Sequence, residues 1–312
     1  MSLDTPVPWA VPAAVLTESG MLRLVTHLCQ EVGLACDDAA LPQQPVTNAA
    51  VVLPTAGLVA RVSSRAARER MLREIQVADW LDACGIPVAL PAAAPPYPQA
   101  EFRDGYAVTW WQYLPQVSKA PGSQVCAIAA RIHRLRPPPG LLPRFDPFPA
   151  MRREIEQAVG MPRAEREQMH QVADALAERW RASHWATDRP VILHGDVHGT
   201  NIVNTALGVR VLDLEDVSLG PWQWDLAWYL AGREIGWVKE AELEEAIAAY
   251  GRDPREAPDI DLLVQVRLAR MSTLVAAVTA RSPHLAEQAR MRMASVTDPD
   301  LRTGWWWGDW HG

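Results

Sequence analysis

The order of apolar and polar positions divides the chain into a front of short alternating runs and a back of helical spacing. Over 21–32, Leu22, Leu24, Val25, Leu28 and Val32 recur near a helical period and predict an amphipathic helix. Two β-branched runs follow, Val51-Val52-Leu53 and Leu58-Val59-Ala60-Arg61-Val62. The turn residues Pro54-Thr55-Ala56-Gly57 between them predict a hairpin. Ser63 or Ser64 can then cap a helix running to Ala83, with Leu72, Ile75, Ala78 and Leu81 on its buried face and Gly85 ending it. A proline-rich connection at 87–98 leads to a strand at Tyr106-Ala107-Val108-Thr109-Trp110-Trp111, and 114–122 reads as a linker between lobes.

From Ser123 helical spacing dominates. Val125, Ile128, Ala129 and Ile132 form one stripe, and further helices are predicted over 150–159, 164–183, 239–250 and 259–280. Between them Val191-Ile192-Leu193 runs into a polar loop, His194 to Asn201, followed by Ile202-Val203-Asn204, a turn at Gly208, and Val209-Arg210-Val211-Leu212-Asp213. This predicts a loop and hairpin set among helices.

Composition narrows the function classes. A chain of 312 residues favours two cores over one, and its 26 prolines lie mostly in the first half. A formal charge of −7 with no long basic run lacks the footprint of a nucleic-acid binder, so no nucleic-acid partner is expected. Cys29, Cys36, Cys84 and Cys126 fall in no paired spacing, which points to reduced thiols and a cytoplasmic setting. The first sixteen residues carry no Lys or Arg ahead of their apolar positions, unlike a secretory signal. No stretch approaches the roughly 20 apolar residues of a membrane span, so no membrane partner is expected.

The polar loop carries the chemistry. Phosphoryl transfer needs a carboxylate to orient the attacking hydroxyl, and oxygen ligands to hold Mg2+ against nucleotide phosphates. Asp196-x-x-x-x-Asn201 has the spacing of a kinase catalytic loop, and Asp213 follows across a short hairpin where a metal-binding aspartate is expected. The bland reading of the three is a polar loop that caps neighbouring helices. Asp213 directly follows an apolar run, so a partly buried carboxylate there calls for a compensating cation or hydrogen bonds.

His194-Gly195-Asp196-x-His198-x-x-Asn201, Val211-Leu212-Asp213 and Trp224-Asp225-Leu226-Ala227 together resemble the signature of the aminoglycoside phosphotransferase and choline kinase-like superfamily. The resemblance implies an α+β, two-lobed protein-kinase-like fold with a nucleotide cleft between the lobes. A small antiparallel-sheet lobe over 1–115 would bind ATP, and a larger, mainly helical lobe over 116–312 would hold the catalytic loop and the acceptor site. Asp196 matches the catalytic base, Asn201 and Asp213 the magnesium ligands, and Asp225 an aspartate that braces the loop. Arg61 stands where the family places a phosphate-pairing lysine, with Glu74 as its helix partner. Thr47-Asn48 stands at the polar turn over the phosphates, and 110–114, including Trp111 and Tyr113, at the purine hinge. The expected activity moves the γ-phosphate of ATP, with Mg2+, to an alcohol group of a small metabolite or antibiotic.

Other readings sit beside these. His194 and His198 are read as holding the loop backbone by hydrogen bonds. Glu215 is either a group near the metal or a solvated acid, and Arg61 with Glu74 could be a plain surface ion pair. Glu240, Glu242, Glu244 and Glu245 read as a solvated helix face, and Trp222, Trp224 and Trp228 as core. The tail Trp305-Trp306-Trp307-Gly308-Asp309-Trp310 is expected to pack on the helical lobe or on an oligomer partner. Two competing functions remain: a nucleotide-binding pseudokinase without turnover, and a non-haem iron site built from His194, Asp196 and a distant His284 or His311.

Overall fold

The computed structural model of the chain describes residues 18–42, 49–92, 99–103, 105–186, 189–280 and 282–305. Two compact units emerge, one grouping the chain up to Ser118 with Val203–Glu215, the other Lys119–Ile202 with the chain from Asp216 onward.

In the first unit, helix α1 (Glu18–Glu31) buries Met21, Leu24, Val25 and Leu28. Strands β1 (Ala49–Leu53) and β2 (Leu58–Ser64) form the expected hairpin, in register from Ala49↔Val62 to Leu53↔Leu58. Gly57 supplies the positive φ of 68° that its turn requires, and its N–H donates to Pro54. Helix α2 (Arg68–Ala83) follows, then β3 (Ala100–Arg103) and β4 (Tyr106–Gln112), giving an antiparallel sheet of order β1-β2-β4-β3. Period-two alternation sorts β2 into faces. Leu58, Ala60 and Val62 join Tyr106, Val108 and Trp110 in the core shared with α1, while Arg61 points to the opposite side.

Two details of the α2 region differ from expectation. Neither Ser63 nor Ser64 caps the helix: the chain enters α2 through a 3-10 turn, Arg65–Ala67, and the Ser64 side chain makes no cap bond. The buried face carries Met71 and Glu74 alongside Ile75, Val77, Ala78 and Leu81, whereas Leu72 stays partly exposed. The face is rotated toward the glutamate because that side chain has a buried cationic partner, described below.

The expected linker at 114–122 contains a short strand, β5 (Gln116–Lys119). In the second unit, α3 (Gly122–His133), α4 (Phe148–Gln157) and α5 (Arg163–Ala182) precede β6 (Val191–Leu193). The polar loop then leads into the hairpin β7 (Ile202–Thr205) and β8 (Gly208–Val211), in a sheet of order β5-β7-β8. Within the first unit Val211 exchanges backbone bonds with the segment after α2, donating to Pro87 and accepting from Ala89. Strand β9 (Ser218–Gly220) pairs antiparallel with β6, Leu193 opposite Ser218, and so fixes the base from which the polar loop departs.

Helices α6 (Gln223–Glu234), α7 (Glu240–Tyr250), α8 (Ile260–Val278) and α9 (Ala286–Thr297) complete the second unit. Helix α8 packs against α4, α5, α6 and α9, which explains why it is apolar nearly all round. An arginine, Arg267, sits in its middle at 4% exposure between Val266 and Leu268. No helix among the described residues is long and apolar enough to cross a membrane.

Candidate active site

Polar side chains with the expected chemistry form one cluster in each unit. In the first unit, Arg61 projects from β2 toward α2, where its Nη1 donates to the Oε1 of buried Glu74. Its Nη2 donates to Asp213 Oδ1 at 3.0 Å and lies 3.7 Å from Glu215 Oε2. Arg70, one turn before Glu74, reaches the same Glu215 oxygen at 3.2 Å. Glu215 is therefore an ion-pair partner and not a solvated acid. Burial works against the charge on Arg61, yet Glu74, Asp213 and Glu215 outweigh it and hold the guanidinium protonated beyond its ordinary range. Asp213 adopts a φ of 56°, a left-handed conformation uncommon outside glycine but accessible to aspartate.

Three carboxylates, Glu74, Asp213 and Glu215, face two guanidiniums, Arg61 and Arg70; burial pushes the Glu74 carboxyl up, against the pull of Arg61 and Arg70. The donors are hard oxygens, which suit Mg2+; that ion keeps several waters and takes one or two protein oxygens plus substrate phosphates. Among the described residues no group of three or more His, Cys, Asp or Glu is placed to form an all-protein metal cage.

Of the two residues expected at the purine hinge, Trp111 lies on β4, an interior strand of this unit's sheet, and Tyr113 just past the end of that strand. Trp111 is buried with its Nε1 donating to Thr109 Oγ1 at 3.0 Å, and the Tyr113 N–H donates to Gly57 O at 2.9 Å. Thr47 and Asn48 lie outside the described residues.

In the second unit the loop after β6 is held mainly by α6. Asp225, whose side chain is fully buried, accepts from the backbone N–H groups of His194 and Gly195, both at 2.9 Å. Its Oδ2 also accepts from His133 Nε2 at 2.8 Å, and His133 Nδ1 lies 2.7 Å from the Tyr250 hydroxyl. The carboxylate can only accept, so the His133 Nε2–H is the donor of this pair. Burial pushes the Asp225 carboxyl upward, but His133 and the neighbouring donors reverse this and hold it below its ordinary value. Trp224, the preceding residue of α6, donates its Nε1–H to Gly195 O at 2.8 Å. Gly195 has a φ of 91°, and a Cβ there would lie 2.5 Å from the Asp216 carbonyl oxygen, so no other residue fits this bend.

Asp196 follows directly, and both its oxygens are engaged. Oδ1 accepts from Arg267 Nη2 at 2.5 Å; Oδ2 accepts from His198 Nε2 and Asn201 Nδ2, each at 3.0 Å. His198 Nδ1 accepts from the Thr200 N–H at 3.3 Å and lies 2.6 Å from its hydroxyl, which leaves Nε2 as the protonated nitrogen facing Asp196. His194 Nδ1 accepts from the Asp196 N–H at 3.3 Å. The Asn201 amide also donates to Asp196 O at 2.9 Å, so its nitrogen is turned into the loop and its oxygen away from these bonds. Burial alone would raise the Asp196 carboxyl; His198 and Arg267 instead hold it well below the ordinary carboxylate range. The group is ionised throughout the neutral range.

Several residues central to this geometry carry no local signal in the sequence. Arg267 lies 71 positions from Asp196, and its only trace is a charge inside an apolar helical run. His133 and Arg70 are equally remote from their partners. On the exposed face of α7, Glu240 and Glu244 are paired with Arg233 and Arg255. Trp222 and Trp224 are core residues, but Trp228 is only partly buried, its ring 5.7 Å from that of His198. Trp305 is buried, with Nε1 donating to Ser295 Oγ of α9 at 2.7 Å; the rest of the tryptophan tail lies outside the described residues. His284 is exposed and His311 lies outside the described residues.

No curated protein matches the sequence. Solved structures do match at low identity. An amicoumacin kinase, in complex with AMP-PNP, Ca2+ and Ami, is 13% identical with a TM-score of 0.65, over 93% of this chain and 96% of that one. A microcompartment-associated aminopropanol kinase is 17% identical with a TM-score of 0.66, over 88% and 95%. A choline kinase from Streptococcus pneumoniae is 14% identical with a TM-score of 0.59, over 88% and 98%. These likenesses establish a two-lobed, protein-kinase-like fold, with a small antiparallel sheet in the N-terminal lobe and a mainly helical remainder. The profile of the phosphotransferase enzyme family matches residues 46–263, well over half of the chain and including every motif described above, so the protein belongs to that family.

Proposed function

We propose that the protein is an ATP-dependent kinase that transfers the γ-phosphate, as a Mg2+ complex, to a hydroxyl of a small metabolite or antibiotic. The observation that carries this reading is the Asp196 carboxylate, ionised and held on both oxygens, yet with 34% of its side chain still exposed to an incoming group. Asp196 orients the acceptor hydroxyl. The bond from the acceptor oxygen to the γ-phosphorus forms as the bond to the β-phosphate oxygen breaks, and ADP leaves. The hydroxyl proton passes to Asp196 and then to solvent.

A carboxylate with so low a proton affinity is a weak base. Its part is therefore orientation first and proton acceptance late, in keeping with a loose transition state that asks little of the nucleophile. When bound, Mg2+ neutralises charge developing on the phosphate oxygens. Asp213 and the amide oxygen of Asn201 are the proposed ligands, and Arg61 the proposed phosphate contact, oriented by Glu74. Asp225, His194 and His198 shape the loop. The amicoumacin, aminopropanol and choline kinases among the similar structures support a small hydroxylated acceptor in general terms.

One observation favours a second reading, nucleotide binding without turnover: Arg61 already occupies Asp213 Oδ1. A screen of hydroxylated metabolites and antibiotics separates the two, read by thermal shift and by phosphate transfer with Mg-ATP. The kinase reading predicts an acceptor that both stabilises the protein and gains phosphate. Stabilisation by Mg-ATP with no transfer to any acceptor or to water would favour the pseudokinase.

A further inference from the structure

A buried guanidinium in the middle of an apolar helix is a costly arrangement, since several kcal/mol of hydration are lost unless every bond it makes compensates. On α8, Arg267 is 4% exposed between two fully buried apolar neighbours. Its bonds run to two consecutive residues of the loop: Nη2 to Asp196 Oδ1 at 2.5 Å and Nη1 to Gly195 O at 3.2 Å. The guanidinium carbon lies 5.3 Å from the centre of the Trp224 ring, and Trp224 itself bonds the same Gly195 carbonyl. Nε has no hydrogen-bond partner, so the side chain is not arranged to satisfy itself. It is arranged to reach the loop.

A carboxylate bonded on one oxygen can still swing about its Cβ–Cγ bond. Asp196 is bonded on both, by Arg267 from the interior and by His198 and Asn201 from within the loop. The contrast in exposure gives the direction: 5% for the Arg267 side chain against 34% for Asp196. Arg267 grips the carboxylate from behind and leaves its open side to an acceptor.

We propose that Arg267 is a positioning residue for phosphoryl transfer, acting through Asp196 by fixing the plane of its carboxylate while anchoring the Gly195 carbonyl with the other arm of the fork. The inference rests on the reading of Asp196 above. It predicts that geometry matters beyond charge. Lysine keeps the cation but offers a single point contact and cannot bond Gly195 O and Asp196 Oδ1 in the same fixed fork. One more arginine, Arg270, lies a helical turn further along α8, but it is tied to Glu154, which Thr273 Oγ1 also bonds at 2.6 Å, and is not available to substitute.

The test uses the full chain and phosphate release from Mg-ATP with water as acceptor, which requires no acceptor identity. Arg267→Met is expected to lower kcat about a hundredfold, the scale of a small misplacement of a reacting group, with KM for Mg-ATP unchanged within about twofold. Arg267→Lys should recover part of this, leaving a loss of about tenfold. In an Asp196→Asn background, Arg267→Met should cost nothing further, because its route of action is already gone. A parallel rise in KM, or an undiminished Arg267→Met effect in that background, identifies a general prop of the fold and overturns the proposal. If Arg267→Met does not fold, Arg267→Lys decides alone: wild-type kcat in that variant also overturns it. Normal turnover by Asp196→Asn, or no phosphate release from the unaltered protein, counts against the underlying reading of Asp196. A dead Asp196→Asn beside fully active Arg267 variants removes only the role of Arg267.

Discussion

The Arg61 cluster of the first unit gathers three carboxylates around an arginine, whereas the Asp196 cluster of the second gathers several donors around a single carboxylate. In the first, carboxylates outnumber the guanidiniums they pair with, and Asp213, the proposed metal ligand, leans on a neighbouring cation. In the second, every hydrogen bond works to keep one carboxylate ionised and still. The difference separates two physical tasks. Holding a cation calls for unbalanced oxygen ligands whose present partner can yield; aiming a hydroxyl calls for a rigid acceptor whose partners cannot.

The comparison can be broken at its weakest assumption, that Asp213 serves the metal. Asp213→Ala should lower turnover about a thousandfold, equivalent to the several kcal/mol of charge stabilisation a catalytic cation supplies. The check is a titration of Mg2+ against phosphate transfer and against nucleotide binding. Unchanged Mg2+ dependence in both would remove Asp213 from the metal site.

Asp225→Asn tests the rigid side. An amide can meet only part of the set formed by His194 N–H, Gly195 N–H and His133 Nε2–H, so a stability loss of about 3 kcal/mol is expected by denaturant unfolding. The sign of the pH effect is set by a folded-state value lying below the unfolded one. Asp225 therefore contributes stability that is fully present above the unfolded value, about 3.9, and is lost as pH falls through the folded value. Acid unfolding of the wild type below about pH 4 should carry this contribution, and Asp225→Asn should show a shallower dependence there. Equal slopes would show that the carboxylate is not held as described.

The smallest effect sharpens the yielding side. Arg61→Lys should loosen the bond to Asp213 and lower the Mg2+ concentration for half-maximal activity about threefold, in line with the modest worth of a partly exposed ion pair. A higher Mg2+ requirement would mean that Arg61 assists the metal and does not compete with it.

Local structure was legible where one short segment carried its own signal. The turn at Pro54-Thr55-Ala56-Gly57, the stripe of α3 and the loop from His194 to Asn201 each state their conformation within a few residues. Helices α6 and α9 are absent from the helices that the spacing predicts; α6 buries nine of its twelve residues, polar Gln223 and Asp225 included, so its apolar positions alone do not outline its buried face. Strands β3, β5 and β9 are only three or four residues long, too short for alternation to register. The rotated face of α2 has a tertiary cause, since buried Glu74 is paired with Arg61. Arg267 and His133 were out of reach for the same reason, because what makes them matter is a partner 71 and 92 residues away.

The account turns on Asp196. Its most direct test is transfer of labelled γ-phosphate from Mg-ATP by the wild type and Asp196→Asn, with nucleotide affinity measured on both. The account predicts a loss of about a hundred- to ten-thousandfold in turnover with nucleotide affinity unchanged. Undiminished transfer by Asp196→Asn would contradict it.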